Sequence, residues 1–217
     1  MTKTALLPYL AIFFSSFTVA LSGAMMPGPL LTTTITESLR RGFITAPLLM
    51  AGHGILELAL IYAILLGLSP LLNNQWFFIS VSLAGGVILL GMAWSLWRSI
   101  PALNLGEANG KKGEERNLVL QGITVSASNP YFSIWWATIG LGYIMQSLRF
   151  GPAGIASFFA GHILADCLWY GAVALALARG RRFLSPRMYR MLMSAGAALL
   201  AFFASYFFYS GVNRLLL

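Results

Sequence analysis

The chain has 217 residues, of which 58% are hydrophobic and only 9% charged, whereas a water-soluble globule carries roughly 25% charged residues to solvate its surface. This excludes a soluble globule and makes lipid the solvent. The formal net charge of +8 is what a membrane protein acquires by keeping Lys and Arg in cytoplasmic loops, so it does not argue for nucleic acid as a partner.

Six apolar stretches, at about 8 to 39, 43 to 68, 76 to 98, 118 to 147, 152 to 178 and 190 to 214, are each long enough for a membrane-spanning helix of about 20 residues. The expected fold is an all-α membrane protein with six transmembrane helices. The opening Met1 to Ala24, with Lys3 and the small-residue stretch Leu21 to Ala24, has the outline of a signal peptide. Its removal would delete half of the first span, so it reads as part of the protein.

The first stretch is unusually long and carries Pro27, Gly28 and Pro29 near its middle. Proline has no amide hydrogen and clashes with the carbonyl four residues earlier, which predicts a broken helix. The break frees carbonyls on one side and offers amide groups and the positive end of a helix dipole on the other. Such a pair of ends can hold a zwitterion, so Pro27, Gly28 and Pro29 are candidate substrate-binding residues. A kink that only shapes packing is the plainer alternative. Thr32, Thr33, Thr34 and Thr36 follow, either lining the cavity or bonding back to their own helix.

In the second stretch His53 and Glu57 stand four residues apart, on one face of a helix and near mid-span. In the third, Gly85, Gly86 and Gly91 are expected to let helices approach closely, and Trp94 and Trp97 to anchor at the interface. The linker from Pro101 to Asn117 gathers Glu107, Lys111, Lys112, Glu114, Glu115 and Arg116 at the midpoint of the chain.

The fourth stretch has Ser126, Ser128, Asn129 and Pro130, a milder break that adds Ser126, Asn129 and Pro130 to the substrate-binding candidates. Trp135 and Trp136, like Trp94 and Trp97 before them and Tyr206 and Tyr209 of the sixth stretch, read as interfacial anchors or packing residues rather than ligand contacts. The fifth stretch repeats the earlier pattern with His162 and Asp166. Cys167 is the single cysteine, so no internal disulfide or two-thiol relay exists and no redox cofactor is called for.

The two halves match. Ala51-Gly52-His53 and Glu57 align with Ala160-Gly161-His162 and Asp166; Gly86, Leu89, Leu90 and Ser95 align with Gly196, Leu199, Leu200 and Ser205; Ala24 to Pro27 aligns with Ala127 to Pro130. The reading is therefore a first three-helix repeat over 1–100, a charged cytoplasmic loop over 101–117, and a second repeat over 118–217. An odd number of spans per copy inverts the second copy, an arrangement that lets two halves rock around a central site.

With six spans, Arg40, Arg41, Arg98, Lys111, Lys112, Arg116, Arg179, Arg181, Arg182, Arg187 and Arg190 share one side, and only Lys3, Arg149 and Arg214 the other. The basic side is cytoplasmic, which places both termini outside. The arginines from Arg179 onward double as lipid-headgroup contacts.

An ionisable group at mid-span costs about 2.5 to 3.5 kcal/mol on insertion scales. Glu57, Asp166, His53 and His162 are therefore expected to face the bundle interior as proton-coupling residues, or to satisfy one another and pin packing. The same four residues would also suit a divalent transition metal, provided the fold brings the two pairs close enough to share an ion, which the sequence leaves open. A membrane enzyme would need one of these histidines beside Ser22, Ser126 or Ser128, none of which lies in a nucleophile motif. A purely structural protein would have no use for two buried acids.

Pro27-Gly28-Pro29, Asn129-Pro130 and the stretch from Gly161 through Ala165-Asp166 to Leu168-Trp169 together resemble the lysine exporter (LysE/RhtB) superfamily, over nearly the whole chain. The resemblance implies a bacterial inner-membrane exporter of amino acids, working on a small solute with protons and lipids as partners. It gives family-motif positions to Pro27, Gly28, Pro29, Asn129, Pro130 and Asp166. Leu30 stands where the family more often has a polar residue, and the twin Gly-His pattern with Glu57 is a further departure. Metal-ion exporters in the wider superfamily make a divalent-metal cargo the second expectation. Whether the chain forms a homodimer is left open.

Overall fold

A computed structural model of the chain describes residues 3–25, 28–72, 74–102, 117–180, 183 and 185–216. Pro27, Arg181, Arg182 and the charged residues from Glu107 to Arg116 lie outside the described residues. The described residues are helical throughout their ordered elements: α1 (Lys3–Ala24), α2 (Pro29–Arg41), α3 (Thr45–Ala63), α4 (Ser69–Leu72), α5 (Gln75–Ser99), α6 (Leu118–Ala127), α7 (Pro130–Trp135), α8 (Leu141–Leu148), α9 (Gly151–Gly180) and α10 (Pro186–Leu216). A wide π-type turn over Ile64–Leu68 links α3 to α4, and another over Trp136–Gly140 links α7 to α8.

Among the described residues, five helices are long and apolar enough to cross a membrane: Leu6–Ala24, Thr45–Gly67, Gln75–Arg98, Gly151–Gly180 and Pro186–Leu216. Their outward faces are apolar, leaving Phe14, Leu66, Val87 and Phe202 exposed around the bundle. Water would reject such a surface and lipid accepts it. The chain is thus a multi-pass membrane protein. The fourth apolar stretch is the exception, because it is divided among the shorter α6, α7 and α8.

Three packing relations organise the bundle. α5 lies along α10, with Leu89, Ala93 and Leu96 against Met193, Ala197, Leu200, Ala204 and Phe207. α1 lies along α9, where Gly161 meets the Phe13 carbonyl and the Ser16 hydroxyl donates to the Phe158 carbonyl at 3.0 Å. α3 lies along α6, with Gly52 against the Val119 carbonyl and Gly122 against the Leu49 carbonyl. A Cβ at any of these three glycines would overlap backbone, so a small residue sets each approach. Of the glycines expected to play this role, Gly85 touches the Ser128 carbonyl and Gly86 approaches Ala204. Gly91 meets nothing within 4 Å, because it faces outward from α5.

The helix ends follow local chemistry. Asn74 and Asn117 cap α5 and α6, each accepting two backbone N–H bonds, from Trp76 and Phe77 and from Val119 and Leu120. Gly42, at φ 78°, ends α2 in a conformation that a β-carbon disfavours, and its N–H reaches the Ser38 carbonyl at 2.9 Å.

Candidate functional site

The first apolar stretch is interrupted as its prolines predict. α1 ends at Ala24, Gly28 is extended (φ −164°, ψ 178°), and Pro29 is the first residue of α2, where a missing N–H costs nothing. The carbonyl of Gly28, the N-cap of α2, accepts the first bond of that helix from the Thr32 amide at 3.0 Å and a second from the Thr32 hydroxyl at 3.0 Å. Thr34 and Thr36 also donate back into their own helix. Thr32 thus serves the break itself, and of the run only the buried Thr33 hydroxyl has no hydrogen-bond partner.

The second break is fuller than the mild kink expected. α6 stops at Ala127, Asn129 is extended, and its Oδ1 accepts from the Tyr131 amide at 3.0 Å, so α7 begins at Pro130 as a separately capped helix. Asn129 spends its side-chain oxygen on this cap. The core joins both breaks: Ala24 before the first, Leu30 after it, Val125 before the second, and Tyr170 one turn beyond Asp166 form one cluster with Leu49 and Met50. This cluster gives Leu30 its apolar character.

The two His-acid pairs do not stand apart. α3 and α9 pack so that all four side chains, each at least nine-tenths buried, make one contact group. Glu57 Oε1 lies 2.8 Å from His162 Nε2 and 3.1 Å from His53 Nε2. Asp166 Oδ2 lies 3.5 Å from His162 Nε2 and 3.7 Å from His53 Nε2, just outside hydrogen-bond range. The separation of the two pairs, left open by the sequence, is set by the packing of α3 on α9, across which Glu57 reaches His162.

Glu57 Oε1 accepts from both imidazoles when each carries its hydrogen on Nε2. His53 Nδ1 then accepts the Ser126 hydroxyl, 2.7 Å away, which ties the quartet to the end of α6 beside the second break. His162 Nδ1 has no hydrogen-bond partner. Charge neutrality in so buried a group requires each carboxylate to be matched by a protonated imidazole or to hold a proton itself. The quartet therefore shares its protons as one unit.

Aromatic rings wall the quartet. Trp135 and Trp136 lie 4.9 and 5.5 Å from the His162 ring, Phe158 5.8 Å from it, and Phe132 5.7 Å from His53. Trp136 is 1% exposed, so of the two roles expected for it, interfacial anchor or packing, it takes the second. Trp135 also faces Gly23, next to the first break, at 3.5 Å from where a Cβ would stand. Trp94, Trp97 and Tyr209 remain exposed.

A cavity of about 320 Å³ opens between α5, α7 and α10, lined by Pro130, Tyr131, Tyr206, Phe78 and Arg214 among others. The Tyr131 and Tyr206 rings stack there, and their hydroxyls meet at 3.0 Å.

Sequence reasoning missed Glu37. It is 4% exposed on α2, with Oε2 2.8 Å from Arg41 Nε and Oε1 3.5 Å from Arg40 Nη1. An acid three and four residues before two arginines on one helix was the available signal.

Residues 21–211 match the family described as LysE type translocator. The chain is 30% identical, over 169 residues, to the chemotactic transduction protein ChpE of Pseudomonas aeruginosa, covering 74% of this chain and 79% of that protein. No solved structure matches the chain.

Proposed function

The chain belongs to the LysE type translocators, and on that premise we propose that it is a secondary-active exporter of a small amino acid or related solute across a bacterial inner membrane, with protons entering in exchange. The observation that carries this reading is the buried quartet of His53, Glu57, His162 and Asp166. Four ionisable groups in a lipid-solvated bundle are costly, and apolar packing would hold two helices together more cheaply. A proton that binds and leaves the quartet gives that cost a use.

In this reading α1 with α2, and α6 with α7 and α8, are single broken spans, which makes six spans in two inverted repeats with both termini outside. The packing supports it. The contact of α1 with α9 has its counterpart in that of α6 with α3, and α5 pairs with its own equivalent, α10. Substrate binds at the breaks around Pro27 to Pro29 and Asn129 to Pro130, next to Thr32 and Ser126. Its release outward is exchanged for a proton delivered to Glu57 or Asp166. One chain supplies every residue of this site, so a homodimer adds none to it.

The test is efflux from proteoliposomes loaded with mixed amino acids under an imposed pH gradient, comparing wild type with Asp166→Asn. Gradient-driven amino-acid loss that the variant lacks is expected. Equal loss from both ends the coupling role of Asp166.

One observation favours a second reading, a divalent metal as cargo. Ligand atoms of His53, Glu57 and Asp166 all lie within 4.8 Å of one another, close enough to hold one ion. Liposomes loaded with zinc and manganese salts decide between the two, since loss of metal without loss of amino acid makes the quartet a ligand set. The Ser126–His53 contact would also suit a serine and its base, but translocators are transporters and not enzymes.

A further inference from the structure

Glu37 does not belong to the quartet, and its surroundings are polar in a way that packing does not require. A chamber of about 20 Å³ lies between α2, α5, α6 and α10, lined by Thr33, Thr36, Glu37, Ser95 and Gln121 together with Arg40. That is room for one small polar group. Two lining oxygens, Thr33 Oγ1 and Gln121 Oε1, are buried and have no hydrogen-bond partner, on residues that are 1% and 9% exposed. Buried polar groups of this kind call for a partner. The chamber is thus lined by a carboxylate, an amide oxygen and a hydroxyl, all able to accept from a donor placed among them.

Beside it stand two cations. Arg40 and Arg41 are only about three-tenths exposed and bracket the Glu37 carboxylate from the last turn of α2. The cluster therefore holds both signs of charge, which a lone cation or a lone anion would match poorly. A zwitterion matches it, because its ammonium can replace the guanidinium on Glu37 while the displaced guanidinium receives its carboxylate. No net charge moves in that exchange.

The position also fits a path. α2 begins at the first helix break and ends at Glu37, Arg40 and Arg41, so the chamber lies between that break and the basic side of the bundle.

We propose that the Glu37 chamber is the cytoplasmic entry subsite of the transport path, where Glu37, Thr33 and Gln121 take the ammonium group of a zwitterionic solute and Arg40 and Arg41 take its carboxylate. The proposal rests on the exporter reading above and adds the chemical class that the entrance selects.

Inverted inner-membrane vesicles, whose outer face is the cytoplasmic one, test it with the full chain. Uptake from an equimolar mixture of the twenty common amino acids first identifies the solute moved. Half-saturation is then measured for wild type, Glu37→Gln and Gln121→Leu, normalised to protein in the membrane. Losing a charge-assisted contact at the entrance should raise half-saturation about tenfold in Glu37→Gln with the maximal rate nearly kept. Gln121→Leu should shift it in the same direction, and it decides the matter if Glu37→Gln fails to reach the membrane. Propylamine or propionate, each carrying one of the two charges, should compete weakly against the transported zwitterion. Wild-type half-saturation in both variants, or propylamine competing as well as the zwitterion, overturns the subsite while leaving the exporter reading intact. Wild-type vesicles that accumulate no amino acid overturn both.

Discussion

Glu57 and His162, 105 residues apart in sequence, meet at 2.8 Å between α3 and α9. The contact joins the two halves of the sequence: an acid from the first is held by a histidine of the second, so each His-acid pair rests on a partner from the other half.

Glu57→Leu should lower stability by about 3 to 5 kcal/mol, because it leaves two buried imidazoles without their shared acceptor. Glu57→Gln, which keeps an acceptor oxygen, should lose much less. Thermal unfolding of the purified protein in detergent reads the difference. A Leu variant as stable as the Gln variant would mean that the quartet does not hold α3 to α9.

Gly52→Ala is expected to destabilise by about 1 to 3 kcal/mol, since the added carbon overlaps the Val119 carbonyl and pushes α6 off α3. Gly91→Ala is the control. It meets open space on a helix surface and should be neutral or gain about 0.5 to 1 kcal/mol. Paired melting curves in one detergent check both.

Asn129→Ala removes the side-chain oxygen that caps α7 and should cost about 1 kcal/mol. Asn129→Asp keeps the acceptor and should restore most of it. If Ala and Asp behave alike in unfolding experiments, the cap does not stabilise the second break.

Trp136→Ala should cost about 3 to 5 kcal/mol, the range for a large aromatic removed from a core. Trp94→Ala, at a site 60% exposed, should cost far less in detergent. Equal losses would return Trp136 to the role of an interfacial anchor.

The parts of this fold legible in sequence are those with strong local chemistry. Runs of apolar residues announce spans, prolines announce breaks, and a histidine four residues from an acid shares its helix face. The recurrence of that pattern picked out the four side chains that the fold brings together. How the two pairs mesh was not legible, because it depends on how α3 and α9 pack. For Trp135 and Trp136 the sequence left anchor and packing side by side, and the burial of Trp136 depends on the same tertiary packing. Glu37 escaped notice because its neighbours Arg40 and Arg41 were already accounted for as a topology signal. The helix approaches at Gly52, Gly122 and Gly161 have no local signature that separates them from Gly91.

The pairing of α1 with α9 and of α3 with α6 has a mechanical consequence. Each long-range seam takes one helix from either side of the 101–117 linker, so the two sequence copies are interleaved like clasped hands. A fragment ending before that linker would expose the α3 groove meant for α6, and leave α1 without its bed on α9. A motion that keeps these two seams intact must carry helices from both halves of the sequence together.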